Sequence, residues 1–216
     1  VSGQAGIGKS SVVQAACDIM ERHGALIGLG KFNQFGDSRP LWAVSQALDG
    51  ALARLQDAHV ERHARVFDRI QIATAGISAV LFDCLPRLLK LLGPQPEPPA
   101  LSGEAAQVRF DLALRRLIGA LGDERNPLVL VLDDVHWADP PSLRLIESLI
   151  GDPSILHVLV IAAYRSEAVA SGHPILDTIQ RALAGKRALR RITVEPWQRD
   201  DMLDLLRLAH IRNSPD

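Results

Sequence analysis

Residues 3–10 read Gly-Gln-Ala-Gly-Ile-Gly-Lys-Ser, and no other stretch restricts the fold of this chain so tightly. Glycines at 3, 6 and 8 let the backbone take positive φ angles and let its amides approach a ligand closely. Those amides converge on one point only if a buried strand feeds the loop and a helix leaves it. The helix, starting near Lys9, adds the positive end of its dipole, so the arrangement suits a row of phosphates. Gly3, Gly6, Ile7, Gly8, Lys9, Ser10 and Ser11 are therefore the candidate nucleotide-binding residues. Lys9 supplies a point charge for the β- and γ-phosphates, the Ser10 hydroxyl is placed to ligate Mg²⁺, and Ser11 offers its amide to the α-phosphate.

The rest of the chain supplies a fold to hold such a loop. Val12, Val13, Ala16, Ile19 and Met20 recur at helical spacing, and Gly24 stands where a helix C′ residue belongs. Residues 25–29 read as a short strand. Residues 40–92 are patterned as helix, with Trp42, Val44, Leu48, Leu52 and Leu55 forming an apolar stripe. Prolines at 94, 96, 98 and 99 mark an extended loop, and a further helix spans about 103–121. Residues 128–132 are apolar throughout rather than alternating, which predicts a strand buried on both faces in a parallel sheet covered by helices. Asp139-Pro140-Pro141 opens another helix, with Asp at the N-cap and proline at the first position. Residues 155–163 read as a second buried strand, 174–184 as helix, 189–194 as strand and 198–210 as helix.

Strands alternating with helices specify an α/β fold of the P-loop NTPase type, a three-layer sandwich around a parallel sheet. The expected boundaries are a P-loop core over 1–195 and the start of a helical subdomain over 196–216. Only Val1 and Ser2 precede the loop, so the chain reads as a segment of a longer polypeptide with its first strand truncated. Such a strand ordinarily lies in mid-sheet. Its loss is expected to bare strand edges, so that the isolated segment aggregates or binds nucleotide weakly.

The apolar run at 128–132 ends in Asp133-Asp134, the place of a Walker B motif. Ligands of open parallel sheets bind at the carboxyl ends of the strands, so the pair is expected to face the phosphate loop. Asp133 would hold Mg²⁺, usually through water, and Asp134 would orient or deprotonate the attacking water. The strand over 155–163 leads into Tyr164-Arg165, and an arginine there can sense the γ-phosphate with its permanent charge. Lys9, Asp134 and Arg165 are thus the candidate catalytic residues, and Ser10 and Asp133 the candidate metal ligands. His136 and Trp137 either pack in the turn or help to position Asp134 and couple it to neighbouring domains. No Asn-Lys-x-Asp stretch follows a later strand, which favours ATP over GTP.

Composition narrows the partners. A formal net charge of -1 argues against direct nucleic-acid binding by bulk electrostatics. The two cysteines, Cys17 and Cys84, lie far apart without metal-ligand or disulfide spacing, which suits the cytoplasm and an inert packing role. No apolar run approaches the roughly 20 residues of a membrane span.

Three stretches carry a family resemblance: Val1-Ser2-Gly3-Gln4-Ala5-Gly6-Ile7-Gly8-Lys9-Ser10, LVLVLDDVHWAD over 128–139 and LVIAAYR over 159–165. Together they resemble the AAA-type ATPase domain of bacterial STAND signalling proteins. Gly30-Lys31-Phe32-Asn33-Gln34-Phe35 and Leu92-Gly93-Pro94-Gln95-Pro96 are similar to one branch, in which this domain lies between a Ser/Thr-kinase-like domain and GAF and histidine-kinase modules. The resemblance implies that Lys9 and Ser10 bind ATP with Mg²⁺, that Asp133 and Asp134 are the Walker B acids, and that Arg165 is the sensor arginine. The leading expectation is a slowly hydrolysing ATP/ADP switch that acts on neighbouring domains of the same polypeptide, with self-association expected of the scaffold alternative. Two other readings stay open: a non-hydrolysing ATP-bound scaffold, and the ATPase module of a LuxR-type transcription regulator.

Overall fold

In the computed structural model, residues 1–34, 39–58, 60–184 and 189–196, together with 198 and 201, are described. The strands are β1 (Ser2–Gly3), β2 (Leu26–Lys31), β3 (Leu128–Asp133), β4 (Val158–Ala162) and β5 (Tyr164–Arg165). Seven α-helices are found among the described residues: α1 (Lys9–Arg22), α2 (Trp42–Gln56), α3 (Val60–Ala73), α4 (Pro86–Leu92), α5 (Gly103–Leu121), α6 (Pro140–Gly151) and α7 (Pro174–Ala184).

Every strand pair is parallel. β3 lies between β2 and β4, while β1 pairs with β5. β5 continues the line of β4 past Ala163, and the Tyr164 amide donates to the Val1 carbonyl at 3.0 Å. On its other side Ser2 bonds the segment around Thr193, donating to Ile192 O at 2.9 Å and accepting from Val194 N at 2.8 Å. β1 therefore sits between two neighbours, as a phosphate-loop strand should. The strand expected over 189–194 is reduced to one bridge between Ser2 and Thr193.

β3 behaves as its composition dictates: its five apolar residues are all buried, and only Asp133 at its end emerges. Its side chains alternate between two cores. Leu128, Leu130 and Leu132 join the large cluster with α2, α3, α4, α5 and α6, whereas Val129 and Val131 join a small one with Val13 and Cys17 of α1. Helices thus cover both faces and the sandwich has three layers, one far thicker than the other.

Register explains an unexpected glycine pair. Gly28 and Gly30 of β2 oppose Leu130 and Leu132 and so face the thick layer, under α2. A Cβ on Gly28 would lie 2.5 Å from the Ala47 carbonyl oxygen, and one on Gly30 would overlap that of Ala43. The missing side chains let α2 lie directly on the strand.

Two further expectations are corrected. The strand expected over 155–163 starts later, at Val158, and it is not buried: Leu159 is 47% exposed. Leu159 and Ile161 pair with Val129 and Val131, so they face the thin layer, where α1 packs on β2 and β3. Trp42, placed in the core stripe, is 39% exposed at the start of α2 and lies under the Arg39 guanidinium, 5.4 Å from its ring centroid. Val44, Leu48, Leu52 and Leu55 of the same stripe are buried.

The Asp139 cap forms as expected, its carboxylate accepting from the Ser142 amide at 2.9 Å. Cys17 and Cys84 are free, and burial pushes both thiols up, so neither is activated. Among the described residues no helix is long and apolar enough to cross a membrane. The helix expected over 198–210, the subdomain over 196–216 that contains it, and Phe35 of the branch-specific stretch lie largely outside the described residues.

Candidate functional site

The loop after β1 reaches α1 through two left-handed glycines, Gly6 at φ 73° and Gly8 at φ 99°. A side chain at either position would be strained, which is the physical reason for glycine there. Gly8 is the N-cap of α1 and no side chain caps the helix, so the first-turn amides of Lys9, Ser10 and Ser11 are left for a ligand. Ser10 and Ser11 are exposed, whereas Lys9 is buried. Its ammonium folds back on the loop, donating to Gly3 O at 2.9 Å and to Gln4 O at 2.6 Å.

The parallel sheet brings the carboxyl ends of β3 and β5 to this loop. Ser10 Oγ donates to Asp133 Oδ2 at 3.3 Å across 123 residues of sequence. The other carboxylate oxygen, Asp133 Oδ1, accepts the Asp134 amide at 2.9 Å, which fixes the Asp133 side chain toward Ser10. A hydroxyl and one carboxylate suit Mg²⁺, which binds few protein oxygens and fills its octahedron with water and phosphate. No cluster of three or more histidine, cysteine or acidic ligands exists among the described residues.

Asp134 is buried, and its backbone is left-handed at φ 53° and ψ 40°. A non-glycine residue pays strain to hold this conformation, and such strain concentrates at functional sites. It turns the carboxylate away from β3 into a cationic surround. Arg165 Nε approaches Oδ1 at 3.4 Å and Lys31 Nζ approaches Oδ2 at 3.6 Å. His136 Nδ1 lies 3.9 Å from Oδ1; burial lowers the pKa of its ring against the opposing pull of the Asp134 carboxylate, and so favours the neutral imidazole.

Every sequence-predicted site residue therefore lies along one edge, in two groups. Gly3, Gly6, Ile7, Gly8, Lys9, Ser10 and Ser11 form the loop, with Asp133 hydrogen-bonded to it; Asp134 and Arg165 form a pair beside it. Arg165 also stands in register with Gly3, which ties the pair to the loop through the β1–β5 ladder.

Two residues of this edge went unassigned in the sequence reading. Lys31 ends β2 in register with Asp133, and aligning the ends of the two strands would have flagged it. Glu167 accepts the Ala5 amide of the loop at 2.7 Å, and no motif marks it. Hydrogen bonds from its own amide and from Ala5 hold its carboxyl below the usual glutamate range.

Comparison with known proteins agrees with this geometry. The AAA ATPase domain family matches residues 1–161, most of the chain, and the chain belongs to that family. Hybrid signal transduction histidine kinase G of Dictyostelium discoideum is 34% identical to it over 152 residues. That match covers 69% of this chain and 4% of that protein, so the chain spans only a small part of its relative's length.

Proposed function

We propose that the chain is an ATP-binding, slowly hydrolysing switch module of a large cytoplasmic signalling protein, in the STAND group and in its hybrid-kinase branch. The observation that carries the reading is the state of Asp134, whose two carboxylate oxygens are approached by Arg165 on one side and Lys31 on the other. A γ-phosphate arriving at the neighbouring loop competes for both cations and leaves Asp134 free to orient a water. ADP, lacking that phosphate, leaves Asp134 paired, so the two nucleotides favour different arrangements of the same edge. A switch requires such a differential affinity.

Lys9 leaves the Gly3 and Gln4 carbonyls to reach the β- and γ-phosphates, and the α1 amides bind the remaining phosphate oxygens. Ser10 and Asp133 hold Mg²⁺, which neutralises charge on the phosphates when bound. A histidine-kinase relative supports the signalling reading over that of a transcription regulator. Because the match covers so little of that relative, kinase output, self-association and the subdomain after residue 195 belong to this proposal too.

Asp134→Asn tests it. Titration with labelled ATP should give binding close to that of the unaltered chain, while steady-state phosphate release falls by about 10²–10⁴-fold, the contribution of a positioned base. A chain that binds ATP but shows no turnover with or without the substitution is instead a non-hydrolysing scaffold.

A further inference from the structure

His136 lies in the short 3₁₀ turn Val135–Trp137, directly after Asp134 and Val135. Its side chain is 2% exposed, and Nδ1 is a buried polar atom without a hydrogen-bond partner. The turn around it is well bonded: Trp137 N donates to Asp134 O at 2.9 Å and Ala138 N to Val135 O at 3.1 Å. On the outer side, Nε2 of His173 meets the His136 carbonyl at 3.2 Å. The backbone that carries the ring is therefore held in place, and one ring nitrogen is unused. Burying an unpaired nitrogen is costly, and an apolar side chain would fill the space without that cost.

The unused nitrogen points at something specific. Nδ1 lies 3.9 Å from Asp134 Oδ1, the same oxygen that Arg165 approaches at 3.4 Å. The two donors compete for one acceptor, and in this arrangement the guanidinium is the nearer. We infer that His136 is a positioning residue that takes over Oδ1 of Asp134 when the terminal phosphate of a nucleoside triphosphate draws Arg165 away.

The inference rests on the proposed switch. Asp134 would otherwise lose the guanidinium that orients this oxygen at the moment it must hold a water. A neutral ring with its proton on Nδ1 donates that hydrogen bond and leaves the carboxylate ionised. Burial favours the neutral ring; the Asp134 carboxylate opposes it, and the smaller effects of Arg165, His173 and Lys9 act with burial. Only about 1 Å of movement separates 3.9 Å from an ordinary hydrogen bond, within reach of a carboxylate rotation.

His136→Leu and His136→Gln test it in this chain. Leucine keeps the bulk and removes the donor, and should lower kcat by about 10–100-fold, the usual effect of losing an orienting contact, with KM for ATP within about twofold. Glutamine carries an amide donor and should restore most of the loss. Unchanged kcat in the leucine variant overturns the inference, and so does a glutamine variant as impaired as leucine, which would mark a packing role. A second readout does not need turnover. In ¹⁵N-histidine-labelled chain, the Nδ1–H resonance of His136, assigned by its absence in His136→Leu, should shift on adding a non-hydrolysable ATP analogue but not ADP. If that shift appears in a chain that never hydrolyses ATP, the hydrolytic part of the proposed function fails and the role of His136 stands. If neither nucleotide moves the resonance, the role of His136 fails, whatever the turnover.

Discussion

The two faces of the sheet differ more than any other two regions of the molecule. On the thick face, Leu48, Leu52, Leu55, Ile70, Leu117 and Ile118 are completely or almost completely buried, and the α2 backbone lies directly on Gly28 and Gly30 of β2. On the thin face, α1 contributes only Val13, Cys17 and Met20 to its cluster, while Val12 and Ile19 on the same helix are 48% and 50% exposed. The phosphate loop hangs from this second face. Hydrophobic stabilisation scales with buried apolar area, so the thick face carries most of the folding energy and the thin face carries the chemistry. A loop that must rearrange around phosphates is better placed where little packing opposes it.

Substitutions on the thick face should have the largest effects. Gly30→Val should cause the largest loss, because its side chain must overlap the Ala43 backbone; we expect no cooperative thermal transition by circular dichroism. Leu117→Ala should cost about 2–5 kcal/mol in urea unfolding. If either variant keeps the stability of the unaltered chain, the thick face is not where the energy lies.

Substitutions on the thin face sharpen the contrast. Cys17→Ala removes one buried sulfur from the small cluster and should cost only about 1 kcal/mol. Leu159→Thr, at a half-exposed strand position, should stay within about 0.5 kcal/mol by the same assay. A loss as large as that of Leu117→Ala at either site would erase the distinction.

The smallest effect concerns Glu167. Its carboxyl is held below the usual glutamate range, so its contact with Ala5 is complete above that range and is lost as pH falls through the lowered value. The Ala5 amide shift in NMR should therefore titrate at a lower pH than a free glutamate, and Glu167→Gln should abolish that titration.

Much of this was legible in the chain itself, because the signals are local. Five apolar residues in a row gave β3, Asp139 before Pro140 gave the start of α6, and the glycine spacing gave the loop and the start of α1. The misreadings share one cause. Leu159 and Trp42 look like core residues by type, but whether a helix covers them depends on elements remote in sequence. Lys31 and Glu167 escaped notice for the same reason: one acts through strand register and the other through a contact across 162 residues.

The sequence by itself determined the α/β fold, the phosphate loop and the acidic strand end, since each follows from steric freedom, burial pattern or charge within a few neighbouring residues. Only the tertiary structure decided how those parts are held. It set Asp134 in a left-handed turn between Arg165 and Lys31, with the unused Nδ1 of His136 3.9 Å away. Those side chains arrive from three different strand ends, and distances between separate strands are fixed by sheet pairing rather than by any local run of residues.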